Sequence, residues 1–248
     1  MTKEEQWLLK EKYHGEKSEG FFTDCKRLES GEPLAYIIGS IPFLNTTIHL
    51  ESHPLIPRPE TEFWVEKAIA HIKHAGKPEP RVLDLCAGSG AIGVAVAKEI
   101  PLASVTFAEI DPTHFSTIEK NLKENTIIYD REKYVFLESD LFLKVSGSFD
   151  FILTNPPYID KGADTAEKSV TDYEPHLALF GGVHGMEYIT RIITDAPKYL
   201  TATGELWIEH EPAQAEAIKT LATDSGFLCT IHTDQYKVAR YSVLTMAQ

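Results

Sequence analysis

From Arg81 onward, short apolar runs alternate with stretches in which apolar residues recur at helical spacing. This pattern predicts strands at Arg81–Cys86, Ala103–Glu109, Tyr134–Leu137 and Phe149–Thr154, with helices starting at Ala91 and Pro112 between them. Past residue 185 it predicts a helix to about Tyr199, a strand in "ELWIEH" after Gly204, and a helix over Ala213–Asp224. Two closing strands, Phe227–His232 and Ala239–Met246, are joined by a short polar loop and are expected to pair antiparallel at one edge. Strand–helix alternation implies a parallel sheet with helices on both faces, so the expected fold is α/β.

Ahead of this unit, residues 1 to 30 read as short helices broken at Gly15 and Gly20. The stretch Leu34–Ile56 is rich in β-branched and aromatic residues around a turn candidate at Asn45, which predicts a β-hairpin. Thr61 is the expected N-cap of a helix running to about Lys73, with Phe63, Val65, Ala68, Ile69 and Ile72 as its apolar stripe.

Apolar residues make up 43% of the 248 and charged residues 25%, which fits a folded globular chain and excludes fibrous or disordered classes. The net charge of -13 opposes a phosphate backbone, and the densest basic stretch, Lys67 to Arg81, is mixed with acids and prolines. Nucleic-acid binding is therefore not expected. Three cysteines without metal-ligand spacing, no apolar run of the roughly 20 residues a membrane span needs, and no signal-type N-terminus predict a reducing, cytoplasmic setting. His71 and His74 share a helix face without further ligands, so no metal is expected. "AGSGA" lacks the spacing of a serine nucleophile elbow.

Candidate chemistry collects after the predicted strands. In "VLDLCAGSGAIGVAVA", Asp84 ends a buried strand and Cys86, Ala87, Gly88, Ser89 and Gly90 lead into a helix, a geometry that lets a cofactor approach the backbone closely. Glu109 ends the next strand, where a carboxylate can accept from both hydroxyls of a ribose; Asp111 is a rival for that role. Asp140, followed by Leu141 and Phe142, is either a turn aspartate or an acceptor for an adenine amino group flanked by those two side chains. The most specific feature is "FDFILTNPPYI". Consecutive prolines fix φ and remove two backbone donors, leaving carbonyls free to accept from elsewhere. The Asn155 side-chain oxygen and the Pro156 carbonyl can each take one hydrogen of a substrate NH2 group, orienting its lone pair toward an incoming methyl while Tyr158 packs on the planar face.

Several segments resemble the HemK/PrmC family, the protein-(glutamine-N5) methyltransferases that act on peptide chain release factors: "GEPLAYIIGSIPF", "LIPRPETE", "LDLCAGSGAIGVAVA", "NPPYI", "YEPHLALFGGVHGMEYITRII" and "QAEAI". The resemblance implies a class I, Rossmann-like fold with a seven-stranded mixed sheet and an antiparallel last strand. It implies S-adenosylmethionine as cofactor and S-adenosylhomocysteine as product. Cys86–Gly90, Glu109, Asp140 and Leu141 would contact the cofactor, and Asn155, Pro156, Pro157 and Tyr158 would hold the glutamine of a Gly-Gly-Gln motif. Cys86 and Ala87 stand where the family usually has glycine and a small hydroxyl residue, Leu141 where an aromatic is common, and "IEHEP" where a glycine-bearing sequence is usual.

The expected organisation is a small N-terminal docking region over 1–60, shorter than the family's helical domain, and a methyltransferase domain over 61–248, as a monomer. The alternative is methylation of an exocyclic amine, adenine N6 or guanine N2, on a nucleic acid, since the tetrapeptide is shared with such enzymes. The net charge and the lack of an added target-recognition segment between residues 160 and 200 weigh against it.

Overall fold

The computed structural model describes residues 1–160, 162 and 168–247. Its centre is a seven-stranded sheet built from β3 (Arg81–Leu85), β4 (Ser104–Glu109), β5 (Tyr134–Glu138), β6 (Phe149–Thr154), β7 (Leu200–Glu209), β8 (Phe227–Thr233) and β9 (Ala239–Met246), in the order β5-β4-β3-β6-β7-β9-β8. β9 runs antiparallel to both of its neighbours and the remaining pairs are parallel. The closing strands pair as expected, but β9 inserts between β7 and β8 and leaves β8 at the edge.

The chain lays β3, β4 and β5 outward in one direction, then returns to place β6 on the other side of β3. The crevice at the carboxyl ends of β3 and β6 is where such a sheet binds ligands, because the connections leave those two strands in opposite directions. β6 is buried along its whole length, as its unbroken apolar run demands. Helix α5 (Ala91–Glu99) follows β3, and α6 (Phe115–Asn125) follows β4 after a short 3-10 turn at Pro112–His114. α5 passes so close to β4 that a Cβ on Gly93 would lie 2.3 Å from the Phe107 ring.

Three sequence expectations differ from the structure in front of β3. Leu34–Ile38 forms a short helix, α3, stopped by Gly39 at φ 92°, so only β1 (Ser40–Phe43) and β2 (Thr46–His49) form the hairpin. Its Tyr36 hydroxyl donates to the Pro54 carbonyl at 2.6 Å, a tertiary contact that outweighs the β-propensity of the run. Helix α4 (Pro59–His74) starts two residues before Thr61, because Pro59 lacks an N–H and its φ suits the first helical position. On the same helix Trp64, not Phe63, faces the core.

Helices α1 (Lys3–Glu11) and α2 (Glu19–Glu29) pack with Ile37 of α3 around Leu8, Phe21 and Cys25. Buried Asp24 links them, accepting from Lys12 Nζ at 2.7 Å, the Tyr13 hydroxyl at 2.7 Å and Arg27 Nη1 at 2.8 Å. Those three donors hold its carboxyl below the usual range despite burial. The hairpin belongs elsewhere: Phe43, Ile48 and Leu50 share one core with Val82, Val94 and Phe107. Tyr36 and Ile37, adjacent on α3, therefore pack into different cores.

Candidate functional site

Each sequence-singled segment lies just past a strand's carboxyl end. Residues 86–90 follow β3, Glu109 closes β4, Asp140 and Leu141 follow β5, and Asn155–Tyr158 follow β6. They converge on a cavity of about 1020 Å³, its open mouth included, whose walls contain Cys86, Ala87, Gly88 and Ser89, then Glu109 and Asp111, then Asp140 and Leu141, and finally Asn155 and Pro157. Thr61, His114 and Tyr188 also reach this wall, and none of the three was assigned a site role by spacing.

Two positions on the wall are left-handed without being glycine: Cys86 at φ 62° and Leu141 at φ 49°. Such conformations cost about 1–2 kcal/mol for ordinary residues and hold the turn only because the surroundings over-determine it. Asp84 and Gly90, expected at the cofactor, do not line the cavity. Asp84 is fully buried beneath the turn, where one carboxylate oxygen accepts from the Gly93 N–H at 2.8 Å and the other has no partner. Burial pushes its carboxyl up to about 8, the Gly93 hydrogen bond opposing and the Glu109 charge reinforcing that rise. Gly90 instead packs inward, where a Cβ would stand 2.8 Å from Ile118.

Glu109 builds the turn as well as the wall. It accepts from the Gly88 N–H at 2.7 Å through one oxygen, and from the Ile110 and Asp111 N–H groups at 2.8 and 3.0 Å through the other. A carboxylate has about four acceptor sites, so capacity remains for a ligand hydroxyl. Asp140 is paired with Arg191 Nη2 at 2.8 Å, and the Arg191 guanidinium lies 5.9 Å from the Tyr188 ring centroid.

The loop after β6 stands between two spaces. A second cavity of about 620 Å³ is lined by Pro156, Tyr158, Arg58 and Glu211, and Asn155 borders both it and the first. Pro156 and Tyr158 face only this second space, so the tetrapeptide divides its side chains between the two cavities. Behind the loop, residues 181–185 run against its backbone: a Cβ on Gly181 would lie 2.5 Å from the Pro157 carbonyl oxygen, and one on Gly185 1.8 Å from that of Tyr158. Gln214 Nε2 closes the contact by donating to the Tyr158 carbonyl at 2.8 Å. Arg58 is ion-paired to buried Glu174, which also accepts from the Ile56 N–H at 3.0 Å and so holds the "IPRPE" segment against the residue that precedes Pro175.

The Methyltransferase small domain family model matches residues 68–181. The release factor glutamine methyltransferase of Rhodopirellula baltica is 38% identical over 226 residues, covering 89% of this chain and 75% of that protein. That of Yersinia pestis is 36% identical over 214 residues, covering 86% and 75%. The chain belongs to the release factor glutamine methyltransferase family. Among solved structures, the T. thermophilus 16S rRNA N2 methyltransferase in complex with AdoMet and guanosine superposes with a TM-score of 0.54 at 21% identity, over 84% of this chain and 50% of that one, a likeness of fold.

In this member of the family, a buried carboxylate supports the tetrapeptide. Glu209, the last residue of β7, accepts from the Tyr158 hydroxyl at 3.0 Å, from Thr61 Oγ1 at 2.7 Å and from Trp64 Nε1 at 2.6 Å. Burial raises its carboxyl above the ordinary value, opposed by those three donors and by the Arg240 charge. Burial and the facing Glu209 charge push the Tyr158 hydroxyl well above 10. "IEHEP" marks a departure from the family pattern, yet nothing in its spacing indicated that the Glu209 side chain turns inward beneath Asn155. His71 and His74 remain exposed at one helix end, and among the described residues there is no cluster of metal-ligating side chains. No helix among the described residues is long and apolar enough to cross a membrane.

Proposed function

We propose that this chain transfers a methyl group from S-adenosylmethionine to the side-chain amide nitrogen of the glutamine in the Gly-Gly-Gln motif of peptide chain release factors. The observation that carries the reading is the position of Asn155 at the junction of two cavities, in a chain of this family. The first cavity suits the cofactor: Glu109 and Asp140 offer acceptors to ribose hydroxyls and an adenine amino group, and Gly88 has open space where a Cβ would project. The second cavity would receive the glutamine side chain.

The donor supplies a methyl group on a positively charged sulfur, already reactive without activation. The residues of this chain orient the acceptor. Asn155 Oδ1 and the Pro156 carbonyl accept the two hydrogens of the amide NH2, and Tyr158 covers its planar face. Conjugation makes an amide nitrogen a poor nucleophile, so hydrogen bonds that favour its pyramidal form act mainly in the transition state. No strong base is needed, because the proton can leave after transfer. Residues 1–60 are proposed to help dock the release factor.

Base methylation on a nucleic acid is the competing reading, and the net charge of -13 disfavours it. Part of the stretch 160–200, where an added recognition segment would sit, lies outside the described residues. Labelled S-adenosylmethionine offered with a release factor, its Gln→Ala variant in the Gly-Gly-Gln loop, and duplex DNA separates the two. Label is expected in the unaltered release factor alone, and lost with Asn155→Ala. Label in DNA alone would sink the protein-substrate reading.

A further inference from the structure

Asn155 can grip a substrate amide only if its own amide is turned the right way. A side-chain oxygen facing the substrate accepts N–H donors, whereas a facing NH2 meets them donor to donor. We infer that Thr61 and Glu209 are positioning residues that fix this choice through the polarity of one hydrogen-bond chain, a step that rests on the function proposed above.

The chain starts at Trp64, which is fully buried and whose ring N–H can only donate. Its contact of 2.6 Å assigns Glu209 Oε2 as an acceptor. This holds whether or not Glu209 carries a proton, because a proton on the other oxygen, Oε1, has the Tyr158 hydroxyl at 3.0 Å to receive it. Thr61 Oγ1 lies 2.7 Å from the same Oε2 and has a single proton, which it must donate there. Toward Asn155, 3.2 Å away, the Thr61 oxygen is therefore left as an acceptor, and the amide presents Nδ2 to it. The Asn155 Oδ1, which takes no part in that bond, is thereby the end turned away from Thr61 and available to a substrate N–H. Turning the amide over would lose the Thr61 bond and set two lone pairs against each other.

Glu209 closes β7, Thr61 sits in the first turn of α4, and Asn155 follows β6, so three elements remote in sequence meet at this point. Tyr158 is held by the same carboxylate. One buried group thus registers both the acceptor and the aromatic cover of the substrate site.

Thr61→Val keeps the size and shape of the side chain but removes the acceptor that holds Nδ2. The measurements are kcat and KM with a release factor, S-adenosylhomocysteine affinity by calorimetry, and the thermal midpoint. The expected result is a kcat loss of about 100-fold, the size that follows from misorienting a reacting group. Cofactor-product affinity should be retained, and kcat should recover in Thr61→Ser, which restores the hydroxyl. Wild-type kcat in Thr61→Val overturns the inference. So does a loss matched by equal losses of affinity or folding, or a Thr61→Ser protein as impaired as Thr61→Val. A wild-type chain that methylates no release factor refutes the proposed function instead, which keeps the two failures distinct.

Discussion

Burial holds the Asp84 carboxyl up to about 8, against roughly 3.9 for an exposed aspartate. Between those values the folded chain keeps a proton that the unfolded chain releases, so this residue's contribution to stability is full below about pH 4 and is lost as pH rises toward 8. Asp84→Asn removes that dependence while keeping an acceptor for the Gly93 N–H. Thermal melts across pH 5 to 9 are expected to show the variant gaining on wild type as pH rises; parallel curves would contradict the shift. Glu109 acts differently, because its oxygens hold three backbone N–H groups and face the cavity. Glu109→Ala is expected to weaken S-adenosylhomocysteine binding about 10-fold or more by calorimetry, since one lost hydrogen bond to a charged group is worth about 1.5–3 kcal/mol. Residue roles were unevenly legible in the sequence. The place of Glu109 on the cavity wall was legible because it ends the strand that follows the glycine turn. Glu209 was not, because nothing local distinguishes an inward carboxylate at the end of a strand from a solvated one.

Elements meet at the site through backbone-to-backbone packing that only glycine permits. Gly185 and Gly76 share a φ of 69°, but a Cβ on Gly185 would lie 1.8 Å from the Tyr158 carbonyl oxygen, whereas Gly76 has nothing within 4 Å. Gly76→Ala is expected to cost only the left-handed strain, about 1–2 kcal/mol by urea unfolding. Gly185→Ala should cost a further 1–3 kcal/mol or so from overpacking and should also lower kcat, because it displaces the loop that carries Asn155. Equal losses in the two variants would show that the 181–185 segment does not brace that loop. The strands at Arg81–Leu85 and Phe149–Thr154 follow from periodicity, since buried parallel strands need unbroken apolar runs, whereas β7 begins at Leu200, ahead of the expected "ELWIEH", and the short helices Lys168–Tyr173 and His176–Leu179 gave no such signal. Nor did the α3 helix at Leu34–Ile38, because tertiary burial of Tyr36 and Ile37 decides its conformation.

Across the whole molecule, strand order makes the site. Placing β6 beside β3 gathers the glycine turn, two carboxylates and the tetrapeptide at one end of the sheet, although up to 72 residues separate them in sequence, from Cys86 to Tyr158. The hairpin is fastened to the same end. Asn121 on α6 accepts from the His49 N–H at 2.8 Å and donates to the Ser89 carbonyl at 3.0 Å, joining β2 to the cofactor turn. Alternation of strands and helices predicted this architecture, while the division of the tetrapeptide between two cavities needed three dimensions. Methylation of one glutamine amide at this site is tested directly by peptide mapping by mass spectrometry of a release factor incubated with the chain and S-adenosylmethionine. A single added methyl is expected on the glutamine side chain of the Gly-Gly-Gln peptide, absent when Asn155→Ala replaces the wild type. A methyl on any other residue, or an unmodified glutamine beside active turnover of the cofactor on another substrate, would contradict it.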